Sequence, residues 1–122
     1  MYKVFEMSGD YEPWWFLDGW EEDITAQQEF DDYYKALSFY KKRWLDLSSE
    51  HPLYESRSDL MTAFWSPGDQ RWCEECDEFL QQYHSVFLLE NDQQIPRKKW
   101  RPGYSKKNGH ENHSVCRLKR QA

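Results

Sequence analysis

The sequence predicts an α+β domain: a small, mostly antiparallel sheet of four or five strands, one main helix packed on it, and a disordered basic C-terminal tail. Three observations carry this expectation. One long segment repeats apolar residues at helical spacing, several short apolar runs are bounded by turn residues, and the composition changes abruptly after residue 94. No internal repeat or βαβ alternation is visible, which leaves one helix lying across one sheet.

Tyr2 to Met7 reads as the first strand, apolar on both faces, and Ser8-Gly9-Asp10 breaks it. Tyr11 to Leu17 reads as a compact aromatic strand containing Pro13 and ended by Asp18-Gly19, and the two are expected to form a hairpin. Ile24 to Phe30 is placed as a short edge strand. The helix runs from about Asp32 to Ser48, because Tyr33, Leu37, Tyr40, Trp44 and Leu47 recur at intervals of four and three. Asp31 or Asp32 caps its start, and Pro52 biases His51 out of helical geometry.

Leu60 to Glu90 is the densest stretch. Leu60 to Trp65 is apolar in both alternating sets, as a strand covered on both faces would be. Ser66-Pro67-Gly68-Asp69 has the Pro-Gly pairing of a type II turn. Cys76, Phe79, Leu80 and Tyr83 fall at helical spacing and predict a turn or two of helix over Glu74 to Gln82, and His84 to Glu90 reads as a strand again.

The net charge of −6 conceals a split. Residues 1–94 carry 21 acidic and 7 basic side chains, a net of −14, whereas residues 95–122 carry 1 acidic and 9 basic, a net of +8. The chain is therefore divided into an acidic, aromatic-rich domain over 1–94 and a basic tail over 95–122, too poor in apolar residues to offset its ordering entropy. Aromatics form 18% of the chain, so a few large rings must supply much of the core. The N-terminus has no secretory pattern and no run is long enough to span a membrane, so a cytoplasmic protein is expected. An odd count of three cysteines in a reducing compartment favours free thiols over a disulfide framework.

The stretches YEPWWFLDGWEED, FDDYYKALSFYKKRW and FWSPGDQRWCEECDEFLQQYH resemble, over roughly residues 1–90, a domain-of-unknown-function family of short proteins found mainly in Gram-positive bacteria. Members of that family are often labelled DNA-binding, so the resemblance implies nucleic-acid association as one expectation. It implies no catalytic residue, ligand or cofactor.

Three groups of residues are candidates for function. In the tail, Arg97, Lys98, Lys99, Trp100, Arg101, Tyr104, Lys106 and Lys107 interleave cations with two aromatics, a pattern that neutralises phosphates and stacks on exposed bases. Its plain counterpart is a solvated tail, or one folded onto its own acidic body. In the body, Trp14, Trp15 and Trp20 stand beside Glu21 and Glu22, which suits a basic protein partner, although at least two of the rings are expected in the core. Cys73 and Cys76 have the C-x2-C spacing that thiol redox centres and zinc sites share. The adjacent Glu74 and Glu75 oppose a reactive thiolate. A zinc site would draw on His110, His113 and Cys116, with His84 in reserve, but a gap of 33 residues from Cys76 to His110 matches no standard module. Both cysteines are thus read first as small core residues, and no cofactor is expected.

The leading expectation is a non-catalytic binding or accessory protein with weak, non-specific nucleic-acid association through the tail. A protein-interaction module using the acidic aromatic face comes second, and a thiol or zinc protein third.

Overall fold

The computed structural model describes residues 1–108. The strands are β1 (Tyr2–Gly9), β2 (Ile24–Phe30), β3 (Leu53–Arg57), β4 (Met61–Trp65), β5 (Gln70–Cys73), β6 (Glu78–Gln81), β7 (Tyr83–Glu90), β8 (Gln93–Gln94) and β9 (Lys106–Lys107), and the helix is α1 (Tyr33–Glu50). The α+β class holds, but the main sheet has seven strands among the described residues, not four or five. Its order is β2-β1-β7-β4-β3-β9, with β8 paired to β7, and every pairing is antiparallel. Two of the added strands have only two residues. The third, β3, reads Leu-Tyr-Glu-Ser-Arg, too polar for an apolar-run search to find.

The helix meets its expectation. Asp32 accepts a hydrogen bond from the Lys35 amide at 2.9 Å, and the stripe Tyr33, Tyr40, Trp44 and Leu47 is buried together with Ala36. This face packs on Val4, Phe64, Val86 and Leu88 of the sheet. Beneath it lies a buried polar hub. Thr62 Oγ1 meets the Tyr40 hydroxyl at 2.7 Å and Ser56 Oγ at 2.9 Å, and accepts from the Trp44 indole at 3.1 Å. Each polar tip of the apolar stripe therefore finds a partner, which fixes the register of α1 over β3 and β4.

The opposite face of the sheet explains why β1, β4 and β7 are apolar on both sides. Tyr11, Trp14, Phe16, Leu17, Trp20 and Ile24 close over Phe5, Met7, Met61, Phe87 and Leu89. This lid corrects the expected Tyr11–Leu17 strand and its hairpin with β1. Pro13, which has no N–H to give a ladder, opens a short 3-10 turn over Pro13–Trp15, and Phe16 ends it in the left-handed region at φ 45°. β1 pairs instead with β2 and β7.

Two further expectations fail for local reasons. The Ser66–Asp69 turn forms, with the Asp69 amide donating to Ser66 O at 2.9 Å, but Gly68 does not take the left-handed φ that a type II turn requires. The expected helix over Glu74 to Gln82 is a hairpin of β5 and β6, with Trp72 opposite Phe79 and Asp77 left-handed at φ 51°. Cys73 and Leu80 point inward while Trp72 and Phe79 point out, a period of two that a short stretch cannot separate from one helical turn.

The start of the basic segment is part of the fold, contrary to the expected disorder from residue 95. Ile95 is buried in the helix-side core, and Trp100 Nε1 donates to Ile95 O at 3.0 Å. The ammonium of Lys99 bonds the Glu90 carboxylate and the Tyr2 hydroxyl. Arg101 Nε donates to the Tyr33 hydroxyl at 3.2 Å, and the Arg101 amide donates to Ser58 O at 2.8 Å. Tyr104 lies against the rings of Tyr40 and Trp44, and β9 pairs with β3. The remainder of the expected tail lies outside the described residues.

Candidate functional site: an acidic aromatic cleft

Beside the lid, the strand β1 ends in Ser8-Gly9-Asp10 and faces the β5–β6 hairpin across a polar cleft of about 150 Å³. One wall carries Asp10 and Asp23, the other Arg71, Trp72, Leu80 and Gln82. Tyr11 donates its hydroxyl proton to Asp23 Oδ2 at 2.6 Å, tying the cleft floor to the 3-10 turn Trp20–Asp23 that carries Glu21 and Glu22. Both of those carboxylates are exposed.

None of the three tryptophans is a fully buried core residue; two pack against the core and one is exposed. Trp20 lies half-buried among Phe5, Phe16 and Phe87, with ring centroids 5.1 to 6.1 Å away. Trp14 is also half-buried, and its outer face is covered by the Arg57 guanidinium 3.9 Å from the ring centroid. Trp15 is the exposed member, at 38%. Sequence reasoning missed the larger aromatic surface. Trp72 and Phe79 pack edge to face at 5.1 Å on the outer side of the hairpin, 45% and 61% exposed. Glu74, Glu75 and Asp77 of the connecting turn, and Glu78 at the start of β6, are exposed as well. The signal for this pair was the period-two alternation that a helical reading absorbed.

The tail residues are brought together, but half of them, Lys99, Arg101, Tyr104 and Lys106, are engaged with their own body. Lys99 and Arg101 bind as described above, and Lys106 sits 4.7 Å from the centroid of the Trp44 ring. Tyr104 is half-buried. Arg97 stands 5.5 Å from the Trp100 ring centroid, and Arg97, Lys98, Trp100 and Lys107 remain on the surface. The Lys99 bond holds the Glu90 carboxyl below its ordinary range, with the Tyr2 hydroxyl assisting.

Cys73 is a free thiol buried against Leu80, whereas Cys76, on the same small cluster, is disulfide-bonded, so the expectation of free thiols is corrected at that position. Among the described residues no group of three or more His, Cys, Asp or Glu is placed to hold a metal. His110, His113 and Cys116 lie outside the described residues. His84 is engaged elsewhere. Its Nε2 lies 3.3 Å from Asp69 Oδ2 and its Nδ1 lies 3.1 Å from Ser8 Oγ, so a proton on Nε2 leaves Nδ1 to accept from the serine. The order of serine, imidazole and carboxylate is that of a hydrolytic triad. Here, however, the Asp69 side chain is 44% exposed and at the long end of hydrogen bonding, so its charge acts through solvent. The arrangement reads as a strut joining β1, β7 and the Ser66–Asp69 turn.

The strut includes a second imidazole. His51 stacks on His84 at 4.4 Å, and its Nδ1 lies 3.0 Å from Ser66 Oγ. Burial, and then the neighbouring His84 charge, lower the pKa of His51, outweighing Glu50 and Asp69. A lowered folded-state pKa means the unfolded chain takes up the proton first. The stabilisation is then complete above the ordinary histidine range, near pH 6.5, and is lost as pH falls below it. Urea midpoints measured between about pH 7.5 and 5.5 are expected to fall with pH, and to fall less in His51→Gln. A parallel decline in both proteins would show that His51 does not contribute.

Fold and cleft together define a small α+β protein whose main sheet is covered by the helix on one face and by the aromatic lid on the other, with a polar cleft between the end of β1 and the β5–β6 hairpin. The family described as a protein of unknown function (DUF1033) matches over residues 1–118, and the chain belongs to that family. No curated protein and no solved structure matches it. Among the described residues, no helix is long and apolar enough to cross a membrane.

Proposed function

We infer that this protein is a non-catalytic interaction module of the cytoplasm that presents its acidic aromatic face to a basic, arginine-rich protein partner. The observation that carries the reading is the Trp72–Phe79 pair, held open to solvent on a hairpin whose turn is almost wholly acidic. Large exposed rings amid carboxylates are costly to leave in water without a use. They offer what a guanidinium recognises: a π face for the cation and oxygens for its paired N–H groups. Glu21 and Glu22 add two exposed carboxylates on the 3-10 turn that carries the cleft residue Asp23, and Trp15 adds a partly exposed ring.

Calorimetric titration with a nine-residue arginine peptide tests this. Binding on the order of 10 μM at low salt is expected for a small polar contact. Trp72→Ala combined with Phe79→Ala should weaken it about tenfold, and Glu21→Lys with Glu22→Lys similarly, with folding checked by circular dichroism. Equal affinity in the folded variants would defeat the reading.

A second reading keeps nucleic acid as the ligand, bound by the surface cations Arg97, Lys98 and Lys107 with Trp100 as a stacking ring, 38% exposed. The DNA-binding label implied by the resemblance belongs to this reading. It ranks lower because Lys99, Arg101, Tyr104 and Lys106 are engaged with the body, and because the acidic body repels phosphate.

A further inference from the structure

The two edges of the main sheet are treated differently. The β3 edge is covered: β9 pairs with it, and the Asn108 side chain accepts from the Tyr54 amide at 2.7 Å and donates to Pro52 O at 3.0 Å. The β2 edge pairs only with β1 among the described residues, and Thr25 to Glu29 are all exposed. Exposed edges are ordinarily protected by lysine, proline or a bulge, because a row of unpaired backbone groups invites another strand. The sequence of β2, Ile-Thr-Ala-Gln-Gln-Glu-Phe, contains no lysine and no proline, and its one charge is Glu29. The one irregularity, between Glu6 and Met7, falls at the Thr25 end. Ala26 to Phe30 stay in regular register opposite Tyr2 to Glu6, and Glu29 is the one charged residue among them.

We propose that the β2 edge pairs antiparallel with the β2 edge of a second copy of this chain, joining two sheets into one. The choice of occupant rests on self-complementarity. A two-fold axis at Gln27 sets Glu29 against Thr25 of the other copy, and an axis at Gln28 sets it against Gln27. In neither register does the one charge of the strand meet its own image. The residues near the axis are glutamines, whose amides both donate and accept, so identical side chains can bond each other. An axis perpendicular to the sheet keeps both α1 helices on one face and both aromatic lids on the other, so neither layer has to move. This proposal is independent of the basic-partner reading, since β2 contributes no residue to the cleft.

Sedimentation equilibrium of the full chain at physiological salt, from about 5 to 500 μM, is the test, because an interface of one strand pair is small and its dimer weak. A monomer–dimer equilibrium is expected in the wild-type chain, shifted at least tenfold towards monomer by Gln27→Lys with Gln28→Lys, which places cations about the axis. Amide hydrogen exchange of the wild-type chain gives a readout that does not depend on the variant folding. Between the two concentration limits, protection should rise in β2 and stay constant in β5 and β6. A chain that stays monomeric throughout would overturn the proposal and leave the edge to an extended segment of another protein. A dimer that the lysines do not weaken, or that protects another element, would also overturn it.

Discussion

A chain ending at Gln94 is expected to lose roughly 3–5 kcal/mol of folding stability, despite lacking only the part of the sequence that composition marks as a tail. The loss has identifiable sources. Ile95 leaves the helix-side core, worth about 2 kcal/mol as a buried aliphatic side chain. Tyr104 no longer covers Tyr40 and Trp44, whose buried edges then meet water. The Tyr33 hydroxyl, which donates to Lys99 O at 2.7 Å, loses that acceptor, and β3 becomes a bare edge. Urea denaturation of the two chains measures the difference, and Ile95→Ala with Tyr104→Ala in the full chain should reproduce much of it. Equal midpoints would show that residues 95–108 contribute nothing to the fold. The result also governs how nucleic-acid binding is tested. Deleting the segment would damage the body, so the suitable variants are Arg97→Glu, Lys98→Glu and Lys107→Glu, all at exposed positions.

The second large effect is expected at Phe87. Its side chain is fully buried on the lid side of β7, 5.3 Å from the Phe5 ring centroid, 5.8 Å from Trp20 and 6.0 Å from Phe16. Phe87→Ala should cost about 3–5 kcal/mol, as transfer and cavity terms add. Phe87→Leu should cost less than about 1.5 kcal/mol, because most of the volume is kept. The location of the damage is as informative as its size. Trp20 rests on Phe87 and begins the turn bearing Glu21 and Glu22, so the alanine variant should alter tryptophan fluorescence and weaken arginine-peptide binding as well. A loss of stability with an unchanged tryptophan signal would mean that the lid is not held by this ring.

Where one periodicity dominated, sequence was sufficient. The stripe of α1 spans four turns, its cap is a single carboxylate, and β4 shows apolar residues in both registers, so each feature had one interpretation. The errors came where two physical rules competed over a few residues. Between Cys73 and Tyr83, spacings of three and four residues coexist with alternation, and only pairing across a turn decides in favour of strands. At Tyr11–Leu17, aromatic content argued for a strand while Pro13 argued for a turn, and the proline prevailed because a ladder needs its missing N–H. The basic segment was misread because composition records average polarity. Ile95, Trp100 and Tyr104 are few, but each is positioned to dock, and several cations serve as hydrogen-bond donors to the body. The candidate face was half legible. Glu21, Glu22 and Trp15 were visible as a charged aromatic run, whereas the partnership of Trp72 with Phe79 exists only once the hairpin forms.

The most direct test of the acidic-face account is a paired anisotropy measurement on the full wild-type chain at physiological salt, with labelled arginine peptide in one arm and labelled duplex DNA in the other. The account predicts that the peptide binds, that Trp72→Ala with Phe79→Ala removes most of that binding, and that the duplex does not bind. Binding of the duplex alone, abolished by Arg97→Glu, Lys98→Glu and Lys107→Glu and falling steeply with salt, would contradict it and move the functional surface to the basic segment.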